Sequence, residues 1–289
     1  MAQGTWQKTR KLIEQARVVL EAENPMTVRQ CFYRLVSQRV LRNSRKDYQK
    51  LSRVLTLARE QGEIPFDWIV DRSRPTYATS VWDDPKDYMA TCKLGYRKDY
   101  WELQPNYCEL WTEKDAIIGS IAEVTDELGV TVRVGRGFLS TTKAHDIADL
   151  LGGIRKPKTI FYLGDHDPSG RCIEREAAER IRKYGSGRFV IQRLAIHAED
   201  IAKFKLPPLR VKTKRDGDYA DSRAEEFIAE YGSECVELDA LPASELRQRI
   251  RKAVEAIIDK TAWDRAILAE SAELASIEDF IANWPHTGA

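Results

Sequence analysis

Two carboxylates stand one residue apart where an apolar run gives out: Asp165 and Asp167, in KTIFYLGDHDPSGRCIEREAAERIRK. In an extended chain this spacing points both the same way and turns His166, between them, to the other face. Like charges held that close repel unless a proton or a cation lies between them. An all-oxygen donor set suits Mg²⁺ or Mn²⁺ better than zinc. The same residues also build a strand-to-helix turn, with Asp165 or Asp167 capping the helix. Glu113, in WTEKDA, admits two readings as well. It favours a helix dipole beside a Thr112–Asp115 capping box, or it faces the aspartate pair as metal ligand or general acid/base. Three acidic groups around a divalent cation suit phosphodiester chemistry. Lys114 and Arg171 are candidate phosphate contacts or plain surface cations. His145 and His197 lack metal-ligand spacing and read as structural.

The elements that must position these groups alternate. Strands are expected at Tyr107–Trp111, Val130–Val134, Thr159–Leu163 and Phe189–Leu194, with helices at Ala116–Leu128, Thr142–Leu151 and Arg171–Tyr184 between them. That order predicts an α/β domain over 107–206 with a parallel sheet and right-handed crossovers. Such sheets bind ligands at the carboxyl ends of their strands, where Glu113, Asp165 and Asp167 all fall. Residues 1–75 predict three helices, 5–22, Val28–Gln38 and Asp47–Glu60. The second opens on a Thr27–Gln30 capping box, and Ile64–Val70 follows as a strand or wing. Three helices and a wing fit a winged helix-turn-helix. On the third helix Tyr48, Leu51, Leu55 and Ala58 form the buried stripe, leaving Lys50, Arg53 and Arg59 for solvent or phosphate. Residues 76–106 read as a connection with one helix. Residues 207–289 read as a mostly helical extension: a basic loop, Arg210–Arg215, a helix at Ser222–Tyr231, a strand at Cys235–Leu238, and helices at Ser244–Lys260 and Ile267–Ala282.

Composition narrows the class. The 289 residues are 43% hydrophobic and 31% charged, as in an ordinary soluble globular protein. No apolar run is long enough for a membrane span, and the first residues lack the apolar core of a signal peptide. Five scattered cysteines without a CxxC pair argue for a reducing cytoplasm and against a thiolate zinc site. The net charge of +1 hides an asymmetry, since residues 1–60 carry thirteen Lys/Arg against five Asp/Glu. Clustered positive charge favours nucleic acid through counterion release, and it also describes a merely solvated basic face.

The glutamate after the first strand and Asp-x-Asp after the third make 107–206 resemble a Toprim domain. GDHDPSG is similar to the DxDPxG segment of the A subunit of type IIB topoisomerases (topoisomerase VI) and their meiotic double-strand-break relatives. TVRQCFYRLV resembles that family's R-x-x-[FY]-Y segment, in which the last tyrosine attacks DNA, and IAKFKLPP and VELDALP resemble segments closing its Toprim region. The likeness spans Thr27–Ile258. It implies Tyr33 as nucleophile, Glu113, Asp165 and Asp167 as metal-binding triad for Mg²⁺ or Mn²⁺, and double-stranded DNA as substrate. It implies a homodimer in which the tyrosine of one protomer meets the metal site of the other. A separate ATPase partner is implied too, since the chain has no GxxxxGK[ST] loop. A cytoplasmic protein follows, nucleoid-associated if its source is bacterial or archaeal. The chain is shorter than a full topoisomerase A subunit, and Phe32 replaces the first of two tyrosines. On the second helix Val28, Cys31, Phe32 and Leu35 make the apolar stripe, with Tyr33 on its flank one turn from Arg29. A phenol of pKa near 10 needs a neighbouring cation or base to become a nucleophile, and Arg29 could serve, or could hold the scissile phosphate. Otherwise Tyr33 is a half-buried core tyrosine.

Two other functions use the same residues. A hydrolytic Toprim nuclease, like the nuclease subunit of Wadjet-type plasmid defence, would replace the tyrosine by water. A non-enzymatic winged-helix DNA-binding protein would use the Toprim-like domain for assembly.

Overall fold

The computed structural model describes residues 2–70, 79–135, 139–213 and 223–284, the side chains of 2–6 aside. It is an α/β structure built on a four-stranded, all-parallel sheet: β1 (Tyr107–Thr112), β2 (Thr131–Val134), β3 (Lys158–Leu163) and β4 (Val190–Ala195), in the spatial order β2-β1-β3-β4. From β1 the chain moves outward to β2, then returns across to β3 on the other side. The carboxyl ends of β1 and β3 therefore flank the point where the winding direction changes, which opens a crevice in such sheets.

The pleat sorts the side chains into two cores. Cys108, Leu110, Phe161 and Leu163 face one side, against α5 (Ile118–Glu127) and α10 (Ala243–Glu255). Trp111, Ile160 and Tyr162 face the other, against α6 (Thr141–Gly153) and α7 (Pro168–Lys183). The first core runs on without a break into the N-terminal helices α1 (Ala2–Glu23), α2 (Val28–Ser37) and α3 (Arg45–Glu60), which pack on one another through Ile13, Ala16, Leu20, Cys31, Leu35, Leu51 and Leu55. The expected capping box is present. Thr27 accepts from the Gln30 amide and the Gln30 side chain from the Thr27 amide.

No strand spans 64–70. After Pro65, which has no N–H to give a ladder, Phe66–Trp68 makes a single 3₁₀ turn, and Ile69 reaches only an isolated parallel bridge to Met26. The connection holds the one expected helix, α4 (Pro85–Gly95), which packs against α11 (Lys260–Ala282) through a Lys93–Glu278 ion pair, with Lys98 just beyond it pairing Glu273. The last helix starts earlier than its apolar pattern suggests because Asp259 caps it at the Ala262 amide. Residues 71–78, where the N-terminal region was expected to end, and the last two residues of the basic loop 210–215 lie outside the described residues. Among the described residues no helix is long and apolar enough to cross a membrane.

Candidate active site

β3 ends at Leu163, and the turn that follows is held from three sides. Gly164 exchanges backbone hydrogen bonds with Ala195 and Ile196 of the neighbouring strand end. Arg193, buried beneath, donates to the carbonyls of Gly164, Asp165 and Gly170 and pairs with Glu174. Above, β6 (Glu234–Cys235), paired with β5 (Leu209–Arg210), continues into a two-way antiparallel bridge between Val236 and His166. Two glycines are required by close approach. A Cβ at Gly164 would lie 2.5 Å from the Tyr162 ring, and one at Gly170 would lie 2.6 Å from the Asp165 carbonyl oxygen.

Within this frame Glu113 Oε1 accepts the Asp165 amide at 3.0 Å, joining the ends of β1 and β3. Asp165 Oδ1 accepts the Leu238 amide at 2.6 Å and lies 2.8 Å from Lys114 Nζ. Asp167 caps α7 through the Gly170 amide, so capping and proximity to Glu113 coexist in one residue. Burial raises the pKa of Glu113, and the Asp167 charge adds to it. Burial, with Glu113 adding to it and Lys114 partly offsetting it, lifts Asp165 to about 6. Both groups would gain from a cation.

Lys114 is the hub. Its ammonium, on a side chain only 20% exposed, lies 2.8 Å from Asp165, 3.2 Å from Glu237 and 2.9 Å from Asp239. Burial opposes its charge, yet Asp239, Asp165 and Glu237 together hold its pKa above the ordinary lysine value. Asp239 is 1% exposed, and its Oδ1 has no partner. Glu237 continues outward to an ion pair with Arg29, and Arg29 sits one helical turn from Tyr33. The Tyr33 phenol lies against both Arg29 and Glu237. Burial and the Glu237 charge push its pKa up to about 12, with Arg29 opposing. Tyr33, expected on the flank of α2, is 5% exposed, with Phe32 edge-on to its ring and the Glu237 carboxylate against its phenol. Tyr33, Arg29, Arg45, Tyr48 and Glu237 border an open cleft of about 290 Å³.

The structure thus brings Tyr33, Arg29, Lys114, Glu113, Asp165 and Asp167 into one connected region. It leaves the other expected contacts apart. Lys50 and Arg53 are exposed on α3, and Arg59 lies over the Phe66 ring. Arg171 is on the far side of the turn, stacked on Tyr231 4.4 Å from the ring centre and 3.4 Å from His166 Nδ1. His145 pairs with Asp149, and His197 opens helix α8 (Ala198–Lys203). The residues that sequence reasoning missed are Glu237, Asp239 and Arg193. Glu237 and Asp239 alternate with Val236 and Leu238, the period of a strand with one charged edge, and that was the available signal.

Among the described residues no three carboxylate, imidazole or thiolate groups stand close enough to hold a metal ion as placed; at Asp165 the positive charge comes from Lys114. The donor chemistry nevertheless fits a hard divalent cation. The set is all oxygen, two of its members are destabilised as anions by burial, and Asp239 Oδ1 nearby is a buried acceptor without a partner. The chain matches no protein-family model and no curated protein.

Proposed function

We propose that this protein cleaves DNA by metal-dependent transesterification, in the manner of the topoisomerase VI A subunit it resembles, with 107–206 as a Toprim-like domain and the N-terminal helices as a winged-helix-like DNA-binding unit. The observation that carries the proposal is the continuous run Tyr33–Arg29–Glu237–Lys114–Asp165, which sets a phenol and a carboxylate cluster in one region. The Tyr33 oxygen attacks phosphorus, a phosphotyrosyl bond forms, one P–O bond to deoxyribose breaks, and the phenol's proton leaves for solvent or a neighbouring base. Arg29 stabilises the phenolate or grips the scissile phosphate. Glu113, Asp165 and Asp167 would hold Mg²⁺ or Mn²⁺, which when bound neutralises charge on the non-bridging and leaving oxygens. Lys50 and Arg53 hold the flanking duplex through its phosphates. The resemblance adds a homodimer and a separate ATPase partner.

One observation favours hydrolysis instead: Tyr33 is nearly covered and its phenol is harder to ionise than a free one. Water would then be the nucleophile and Tyr33 a core residue. End-labelled supercoiled and linear DNA, incubated with protein and Mg²⁺ or Mn²⁺ and then denatured with detergent, separates the two. Label that travels with wild-type protein and is lost in Tyr33→Phe supports transesterification. Free-ended cutting by both proteins would establish hydrolysis. Glu113→Gln is expected to lower either activity by at least ~10²-fold.

A further inference from the structure

Arg171, turned away from the charged crevice, is a cation without a counter-ion. Its guanidinium stacks on the Tyr231 ring at 4.4 Å and stands 3.4 Å from His166 Nδ1, and its Nε is buried with no partner. Among the described residues no carboxylate comes within ion-pair distance of it. Those nearby are engaged elsewhere: Glu174 with Arg193 at 2.8 Å, Glu226 with Arg175 at 2.9 Å, and Glu230 against the Tyr231 hydroxyl. Burial and the Arg193 charge therefore disfavour the charge on Arg171, whereas Arg29 and Arg249 keep theirs through the carboxylates they meet. A half-buried guanidinium left in this state is costly, and an anion would satisfy it. Beside it is a cleft. Helix α9 (Ala224–Tyr231) lies along α7, and between them opens a space of about 300 Å³ lined by Arg171, Cys172 and Arg175 of α7 and by Arg223, Phe227 and Tyr231. That is the size of a small-ligand site. Arg223 enters from the opposite wall, its guanidinium 3.5 Å from Ser169 Oγ in the first turn of α7. Arg175, one turn along, is held only by an exposed ion pair, which water screens. Guanidinia that approach one cleft from two walls suit an anion with several oxygens and more than one charge.

We infer that the α7–α9 cleft is a second binding site, which takes the phosphate group of a small molecule, a mononucleotide or simple phosphate ester, between Arg171 and Arg223. It lies across the acidic turn from Lys114 and does not depend on the chemistry of that crevice. A nucleic-acid backbone carries the same phosphate chemistry, but Glu226 and Glu230 also line the cleft. They would repel a continuous run of phosphates across its mouth, whereas a single phosphate can seat between the two arginines.

Calorimetry on the whole protein at low salt tests it, with inorganic phosphate and adenosine monophosphate as probes and acetate as the singly charged control. One saturable site is expected for each phosphate probe, with acetate roughly tenfold weaker or more. Arg171→Gln should weaken both phosphate probes by about tenfold or more and Arg223→Gln by several-fold. Arg251→Gln, which removes a surface cation paired with Glu127, should change neither. Arg223→Gln carries the test if Arg171→Gln does not fold. A saturating short DNA duplex should leave phosphate uptake unchanged. The inference is overturned if the wild type takes up neither phosphate probe at millimolar concentration, if both arginine variants bind as tightly as wild type, or if acetate matches phosphate. Displacement of the probes by the duplex would assign the cleft to a nucleic-acid backbone and overturn it equally.

Discussion

The two faces of the Gly164–Asp167 turn are chemically opposite although their residues are neighbours in the chain. Asp165 looks into a crevice of charge, where Lys114, Glu113, Glu237 and Asp239 converge. His166 looks into an aromatic box. It is fully buried, its ring 5.1 Å from that of Phe227 and 5.4 Å from that of Tyr231, and Arg171 closes the lid on Tyr231. The 236–239 segment touches both faces, Val236 bridging His166 and the Leu238 amide donating to Asp165. The alternation of an extended chain, and not residue type, decides which titratable group meets ions and which is sealed in. Burial disfavours the ionised form on both faces, so the aspartate is pushed up, Lys114 offsetting this only in part, and the histidine down to about 4, burial acting first and Arg171 and Arg193 adding to it.

The hub should be the most sensitive point. Lys114→Met removes the cation shared by Asp165, Glu237 and Asp239, one of them 1% exposed. Leaving buried charge unpaired costs about 3–5 kcal/mol. Urea unfolding at pH 7 should show that loss, with much of it recovered by millimolar Mn²⁺, because a ligand of the folded state stabilises by mass action. A Met variant as stable as wild type would mean that the ion cluster is solvated and loose. The matching change on the other face, His166→Phe, keeps a ring in the box and should cost far less at the same pH.

The second contrast is in pH dependence. His166 has a folded pKa near 4 against an ordinary 6.5. Its stabilising contribution is present above 6.5 and is lost as pH falls through 4, worth about 3 kcal/mol. Asp165 has a folded pKa near 6 against an ordinary 3.8. Its contribution is present below 3.8 and is lost as pH rises through 6, with a similar magnitude of about 3 kcal/mol. Between pH 4 and 6 the two slopes oppose, so wild-type urea midpoints should change little on their account. His166→Phe should unmask a stability that falls as pH rises across that window, and Asp165→Asn one that falls as pH drops. Parallel curves for all three proteins would refute the assignment of these two groups to opposite environments.

How much of this was legible depends on how local its cause is. The ends of β1 and β3, the capping box at Thr27 and the cap at Asp167 arise from residues within a few positions, and the sequence pattern placed them within a residue or two. So did the placement of His166 opposite its neighbours. Glu237, against the Tyr33 phenol, lies some two hundred positions away, and no spacing around Tyr33 encodes that contact. Glu237 and Asp239 reach the site through the His166–Val236 bridge, a pairing that only tertiary packing specifies. The strand expected at Cys235–Leu238 ends at Cys235 for the same reason: beyond it the chain leaves Arg210 and Leu209 to meet the acidic turn. The wing failed at Pro65, a local signal that an apolar run had outweighed. Carboxylate count was no guide either. Glu109, fully buried in the middle of β1, spends its oxygens on Arg133, the Tyr107 hydroxyl and the Trp111 indole, and nothing in its residue type separates it from Glu113.

Gly170 is the hinge between the two faces. Gly170→Ala would bring a methyl to 2.6 Å from the Asp165 carbonyl oxygen. Backbone cannot yield as a flexible side chain can, so a cost of about 1–3 kcal/mol is expected. Because the displaced carbonyl belongs to Asp165, Mn²⁺ affinity measured by calorimetry should fall with it, while the Tyr231–His166 box is left nearly intact. Loss of stability without loss of Mn²⁺ binding would show that the turn need not be held at Asp165 for the acidic cluster to work.

The smallest expected effect separates Arg171 from the cations of α3. Its guanidinium is engaged with the Tyr231 ring and the His166 edge, with Nε buried and unpartnered, whereas Lys50 and Arg53 extend into solvent from α3. Arg171→Ala should therefore cost about 1 kcal/mol of folding stability through the lost stacking and leave the salt dependence of DNA affinity unchanged. Arg53→Ala should leave stability within about 0.5 kcal/mol and reduce the slope of log affinity against log salt by roughly 1. Fluorescence anisotropy with one labelled duplex at four salt concentrations resolves both slopes. If Arg171→Ala lowers the slope instead, the DNA path runs over the aromatic side of the turn, and the division between a charged face and a sealed one must be redrawn around a duplex that touches both.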